Sequence, residues 1–319
     1  MTRPLVELDG RRVVVEVPAT TANLGAGFDC LGMALGLTNQ IELEVCLRCD
    51  GQVELTVDGE GAGELGSDRG NRFVEGLETG IRAAGAAIPA DLGWKIRMRN
   101  QVPLARGLGS SAAATVGGLV AANALLGHPL AEREVLRLAT LIEGHPDNAA
   151  AAMLGGFVVA AALETGVESL RFDVPRDLRI ALFIPELRLS TSDMRGVLPP
   201  TVPFGDAVAN LGRVALGVAG LAAGRNDLLG VLTRDALHEP YRAAVYPQLP
   251  VMVEAAREAG ALGACLSGAG SSIIAFADSL ASVGRIEAAF RAAAGACDLP
   301  GRTEVVPVRN TGARVLATG

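Results

Sequence analysis

Lysine is almost absent from this chain: Lys95 is the only one among 28 basic residues, and the others are arginines. A Walker phosphate loop, GxxxxGK[ST], needs a lysine after its last glycine. A Schiff-base enzyme needs one at its site. Lys95 lies in "LGWKIRMR", which alternates like a strand, so neither chemistry has a residue to use. Aromatic residues are also scarce, at 3%. With a net charge of −7, that composition argues against a general nucleic-acid binder, which stacks bases and neutralises phosphates.

Long apolar runs are missing too. The richest stretch, 149–162, is broken by glycines and reads as buried helix or strand. A membrane span needs about 20 consecutive apolar residues. The N-terminus, "MTRPLVELDGRRVVVEV", has no apolar signal core, so a cytoplasmic protein is expected. Five cysteines, an odd number, make no disulfide framework in a chain of 319 residues. "CLRC", Cys46 to Cys49, has half the spacing of a zinc knuckle, but no second pair follows. It falls in "IELEVCLRCDGQVELTV", read as a hairpin turning at Asp50 and Gly51. Strand residues three apart point to opposite faces, so the two sulfurs are expected to diverge.

Glycine, by contrast, is plentiful at 40 residues, and half the chain is hydrophobic. The length allows two domains or one large one. Residues 11–17 read as a strand, and "PATTANLGAGFDCLGMALGL" as a glycine-punctuated loop after it. Residues 41–48 and 52–58 form the expected hairpin. A helix is expected over 71–84, a strand over 92–99 and an amphipathic helix over 130–142. From near Glu164 strands and helices alternate around an antiparallel core, which predicts an α+β sandwich.

Three glycine loops stand out: "TTANLGAGFD", "GLGSSAA" and "SGAGSS". In the second, Gly107 and Gly109 permit backbone angles that other residues avoid, and Ser110 or Ser111 can cap the helix that follows. The first turn of that helix offers unpaired N–H groups and the positive end of a dipole, which together suit a phosphate. The bland alternative is a capped, buried helix. No GxSxG elbow, kinase HRD or DFG set, or HExxH is present, and Ala112 stands where a dinucleotide fingerprint needs glycine. Without lysine, backbone dipoles plus Mg²⁺ are the obvious way to neutralise phosphate, with a hydroxyl and a carboxylate as ligands.

These residues carry a resemblance to the GHMP kinases. "PLARGLGSSAA" resembles their second motif, "SGAGSS" their third and "VEVPATTANLGAGFDCLGMAL" their first, in its homoserine kinase form. "EGHPDNAAAAMLGG" and "HEPYR" also resemble homoserine kinase segments, and Ser271 stands where the family often has proline. The resemblance implies a two-domain α+β fold. Its N-terminal mixed α/β domain, 1–164, would carry a left-handed β-α-β phosphate-loop unit. Its C-terminal domain, 165–319, would be a ferredoxin-like α/β sandwich.

The activity implied is ATP-dependent phosphorylation of the L-homoserine hydroxyl to O-phospho-L-homoserine, in threonine biosynthesis. The alternatives are another small-alcohol kinase of the mevalonate-pathway type and a non-catalytic amino-acid-binding regulator. Pro103, Arg106, Gly107, Leu108, Gly109, Ser110, Ser111, Ala112 and Thr191 would hold the ATP phosphates. Ser111 and Glu143 would hold Mg²⁺. Asn23, Asp29, His145, Asn148, Arg195, Arg242 and Gly268 would bind the substrate. Asn23, Asp29, Asn148 and Asp147 would be catalytic, Asp147 as one candidate base beside a mechanism of positioning without a base. His128 and His238 are read as packed residues. A homodimer is implied, with no nucleic acid or membrane as partner.

Overall fold

The computed structural model describes residues 5–47 and 49–319. Arg48, expected at the end of a hairpin strand, lies outside the described residues, as do 1–4. The strands are β1 (Arg12–Asn23), β2 (Gly27–Cys46), β3 (Val53–Gly59), β4 (Gly93–Asn100), β5 (Phe157–Leu163), β6 (Gly166–Phe172), β7 (Arg179–Pro185), β8 (Gly263–Leu266), β9 (Ile273–Ala277), β10 (Gly301–Pro307) and β11 (Arg314–Thr318). The helices are α1 (Arg72–Ala83), α2 (Ser110–Leu125), α3 (Glu132–Glu143), α4 (Asp147–Leu154), α5 (Thr191–Gly196), α6 (Phe204–Ala222), α7 (Leu229–Leu232), α8 (Glu239–Arg242), α9 (Gln248–Glu258) and α10 (Leu280–Ala296).

Seven strands form the first sheet, in the order β11-β1-β2-β4-β3, with β5 pairing β2 and β6 pairing β5. The expected hairpin is not formed, because β4 lies between β2 and β3, antiparallel to one and parallel to the other. The first glycine-rich stretch is not an open loop either. β1 runs on to Asn23 and β2 begins at Gly27, so "PATTANLGAGFDCLGMALGL" is a long strand pair around a tight turn. Both faces of this stretch are buried, from Val17 through Gly27. That erases the period-2 alternation by which a half-exposed strand is read.

Cys46 and Cys49 correct a second expectation: they are joined by a disulfide, with Cα atoms 5.6 Å apart. β2 ends at Cys46, so Cys49 sits in the turn beyond it and the alternation argument does not reach that residue. Cys30, Cys265 and Cys297 are free.

The second sheet has the order β10-β7-β9-β8 and is antiparallel throughout. Numbered within that half it reads 4-1-3-2, the split β-α-β arrangement of ferredoxin-like folds. The 164/165 division falls within the β5–β6 hairpin, and both those strands and β11 belong to the first sheet. One apolar cluster joins the halves, with Ala19, Leu31 and Met33 against Leu229, Cys265, Ile274 and Phe276.

The helix that matters most for the site is α2. It carries no charged residue and 11 of its 16 residues are buried. At Gly118 an added Cβ would lie 2.1 Å from the Phe73 carbonyl oxygen, so α1 and α2 approach as only glycine allows. That seats the N-terminus of α2 at the meeting line of the two sheets.

Candidate active site

The three glycine loops interlock there. Ser267 Oγ is 2.9 Å from Thr21 Oγ1 and donates to the Gly107 carbonyl at 2.7 Å. Gly268 N–H donates to the Ala22 carbonyl, Thr20 N–H to that of Leu108 and Ser272 N–H to that of Arg106. Gly107 has φ +72, and a Cβ there would sit 2.1 Å from the Ser267 carbonyl oxygen. Ser271 fastens the third loop outward, its hydroxyl bonded to the Leu187 carbonyl and its own carbonyl accepting from the Tyr246 hydroxyl at 3.0 Å.

A cavity of about 130 Å³ opens on this junction. Every site residue named from the sequence lines it except Pro103, which lies in a neighbouring depression. Arg106 reaches the cavity wall, but its guanidinium donates to the carbonyls of Pro185 at 2.7 Å and Glu186 at 2.8 Å and to those of Leu104 and Ala105. Ser110 and Ser111 do not cap α2. The N-cap is Gly109, φ +71, and no side chain bonds to that end. The first-turn N–H groups are therefore left for an anion.

Beside them Glu143 closes α3. Its Oε1 accepts from Ser111 Oγ at 2.9 Å and from Thr115 Oγ1 at 2.7 Å. A carboxylate and a hydroxyl are hard oxygen donors of the kind Mg²⁺ takes, so this pair fits that ion. Asp29, His145 and Asp147 also bring ligand atoms within 4.8 Å of one another. That cluster is closed on itself, since Asp29 is paired with Arg195 and Asp147 with His145.

Arg242 also lines the cavity and is 1% exposed. Its Nε donates to the Met194 carbonyl at 3.2 Å, and its Nη1 to the Gly268 carbonyl at 3.0 Å. Buried charges are normally paired, yet among the described residues no carboxylate pairs with Arg242. Burial, with the nearby charge of Arg195, pushes its pKa down to about 10, which leaves it cationic at neutral pH. Arg195 forks onto Asp29, at 2.9 Å and 2.6 Å. The hydrogen bond to Asp29 holds the Arg195 pKa above its usual value.

His238 was read as a packed residue, and it is fully buried. It also organises the site. Its Nε2 lies 2.8 Å from the Gly25 carbonyl and its Nδ1 3.0 Å from Arg242 Nη1. Burial pushes its pKa down to about 4. The neutral ring therefore donates to Gly25 through Nε2 and accepts from Arg242 through Nδ1. The i, i+4 spacing in "HEPYR" carried that signal, since residues four apart share a helix face. Phe28 was missed as well: both guanidiniums lie over its ring, at 5.4 Å and 5.5 Å.

Asn23 and Asp29 both have left-handed backbones, φ +68 and +56, which Asn and Asp tolerate better than most residues. Asn23 Nδ2 donates to the Gly268 carbonyl at 2.9 Å, and its Oδ1 accepts from Asp29 N–H at 3.0 Å. Asn148 Oδ1 accepts from Thr20 Oγ1 at 2.7 Å. Asp147 Oδ1 accepts from Asn148 N–H at 2.7 Å and lies 2.6 Å from His145 Nδ1. The His145 pKa is raised: burial works against this, and the hydrogen bond and charge of Asp147, with Asp29, outweigh it.

Interlocked glycine loops at the junction of two such sheets define a class. The profile "GHMP kinases N terminal domain" matches residues 71–156, and "GHMP kinases C terminal" matches 218–296. Within that class the relatives agree. A homoserine kinase of Carboxydothermus hydrogenoformans is 44% identical over 86% of this chain and 88% of its own. One of Moorella thermoacetica is 45% identical over 82% of this chain and 86% of its own. The crystal structure of homoserine kinase from Cytophaga hutchinsonii is 32% identical, covers 96% of this chain and 97% of its own, and superposes with a TM-score of 0.83. The chain belongs to the homoserine kinases of the GHMP kinase superfamily.

Proposed function

We propose that this chain transfers the γ-phosphoryl group of ATP to the side-chain hydroxyl of L-homoserine, giving O-phospho-L-homoserine on the route to threonine. The observation that carries the reading is a pair of positive sites in one cavity, each suited to an anionic group. The uncapped start of α2 and the buried Arg242, which no carboxylate pairs among the described residues, both line it. A nucleotide phosphate suits the first and an amino-acid carboxylate the second. A regulator without catalysis has no use for the intact phosphate loop and its neighbouring Glu143.

In this reading the N–H groups of Ser110, Ser111 and Ala112 receive phosphate oxygens, with Thr191 beside them at the start of α5. Ser111 and Glu143 would hold Mg²⁺, which supplies charge neutralisation to the phosphates. Arg242 holds the substrate carboxylate. Arg195 keeps three N–H groups beyond the two spent on Asp29 and shares that task. Asn23, Asp29, His145 and Asn148 orient the ammonium and hydroxyl, with the Gly268 carbonyl fixing Asn23 and Arg242. Asp147 Oδ1 is already engaged by His145 and Asn148, which favours positioning over a dedicated base. Phosphoryl transfer passes through a loose transition state, so alignment and electrostatics can carry most of the effect.

The partners in this reading are ATP, homoserine and a second copy of the chain in a homodimer. Neither nucleic acid nor membrane has a part in it. Among the described residues no helix is long and apolar enough to cross a membrane. ATP as donor places the work in the cytoplasm. The test is a panel of L-homoserine, mevalonate and L-threonine with ATP, run with Mg²⁺ and with EDTA. Turnover is expected for homoserine alone and only with Mg²⁺. Phosphorylation of mevalonate but not homoserine would overturn the assignment.

A further inference from the structure

Phe28 does not line the cavity, although Asn23, Asp29 and both arginines do. It is half-buried on β2, behind that wall. The guanidinium carbon of Arg195 lies 5.4 Å from the centre of its ring and that of Arg242 5.5 Å. The imidazole of His238 packs on the same ring at 5.2 Å between centroids, tilted by 33°. Arg195 of α5 and Arg242 of α8 thus meet over one aromatic side chain of a third element.

Two guanidiniums brought together repel, and the charge of Arg195 works against that of Arg242. Asp29 offsets Arg195 through both carboxylate oxygens. Among the described residues no carboxylate offsets Arg242. An aliphatic side chain beneath them would only strip water from the charges, which costs free energy. An aromatic ring presents the negative face of its quadrupole. Each cation over such a face gains about twofold to 30-fold in its equilibrium.

The N–H groups left over show what the pair is held for. Arg242 spends Nε on the Met194 carbonyl, and Nη1 on His238 Nδ1 and the Gly268 carbonyl. A guanidinium has five N–H groups, so both on Nη2 have no partner among the described residues. Arg195 is tied to Asp29 alone and keeps its Nε N–H and one on each Nη. With Asp29 counted and His238 neutral, the group carries one net positive charge. One carboxylate cancels it and takes up the free N–H groups of both arginines.

We propose that Phe28 is a positioning residue for substrate recognition: its ring holds Arg195 and Arg242 together so that their free N–H groups close on one substrate carboxylate. This rests on the homoserine kinase reading above and adds the residue that makes the carboxylate a condition of tight binding. With no face on the cavity, Phe28 acts through the two arginines. The test compares L-homoserine with 3-amino-1-propanol, the same molecule without its carboxylate. Phe28→Leu keeps an apolar side chain and removes the π face. It should raise the homoserine KM by ~5–30-fold and leave kcat within about threefold. The Ki of the amino alcohol against homoserine phosphorylation should move by less than about twofold, because that ligand never used the arginine pair. Phe28→Tyr, which keeps the face, should stay within about threefold of the wild type in homoserine KM. Phe28→Met also lacks the face; it should match Phe28→Leu and gives the reading where the leucine variant is too unstable to assay. A wild type without turnover of homoserine would remove the kinase reading itself. An active wild type whose leucine and methionine variants weaken both ligands alike, or whose tyrosine variant loses as much as they do, would overturn the role of the ring alone.

Discussion

Replacing Gly107 with alanine tests whether the three loops act as one piece. The substitution imposes a side chain on a backbone at φ +72, and its Cβ would lie 2.1 Å from the Ser267 carbonyl oxygen. The left-handed backbone costs about 1–2 kcal/mol for a residue with a Cβ. Displacing the third loop also breaks the Ser267–Gly107 hydrogen bond, of order 1 kcal/mol. Together these disfavour the working loop arrangement by about 3 kcal/mol, or roughly 100-fold at 1.4 kcal/mol per tenfold. The assay is kcat/KM for ATP and for homoserine at 25 °C, with a thermal melt of the same sample. Gly127→Ala is the control: it has φ +80 but nothing within 4 Å. It should lose about 1–2 kcal/mol of stability and keep its kinetics. If Gly107→Ala stays within about threefold of the wild type, or Gly127→Ala loses as much activity, loop interlock is not what holds the phosphate site.

Arg242→Ala should raise the homoserine KM by about 10–150-fold, the worth of a charge-assisted hydrogen bond of ~1.5–3 kcal/mol, and leave the ATP KM within about twofold; an equal rise in both would refute the carboxylate role. Asp147→Asn should lower kcat by less than about tenfold, because a general base contributes ~10²–10⁴; a thousandfold loss would make Asp147 the base. Glu239→Gln should change stability in a pH-dependent way. The Glu239 carboxylate is buried although the residue as a whole is half-exposed, and burial pushes its pKa up to about 8. Its folded value lies above its unfolded one of ~4.3, so wild-type stability is full below that pH and declines as pH rises toward 8. The variant should match the wild-type Tm near pH 4 and exceed it by ~2–6 °C near pH 8.5; a constant difference across that range would sink the argument.

The parts of this site that could be read from the sequence are those where residue type alone limits the backbone. Glycine, serine and asparagine clusters mark sharp turns wherever they fall, so all three loops were visible. What the loops do to one another was not. The bond from Ser267 to Gly107 links residues 160 apart, and no local pattern encodes it. The serines of the second loop were expected to cap α2 because isolated helices reward capping, whereas here Gly109 leaves the end open. The second half of β1, from Pro18 on, and the start of β2 hid for a different reason: strands buried on both faces lose the alternation that identifies them. "CLRC" was misjudged because the strand ends at its first cysteine, and strand ends are the least legible feature of a sequence. His238 hid because a histidine is more often inert, although its spacing from Arg242 was in plain view.

The topology sets the order in which the catalytic centre can come into being. Gly107 cannot complete its contacts until Ser267 has been made, and β1 has an unpaired edge until β11, the last strand of the chain, docks on it. At ~5–20 residues per second a ribosome needs about 8–32 s to cover those 160 residues. Throughout that interval the nascent chain carries a phosphate loop without its keeper and a sheet with an open flank. The site thus waits for Ser267 and the first sheet for β11, so a chain cut before Ser267 has neither a finished site nor a closed first sheet.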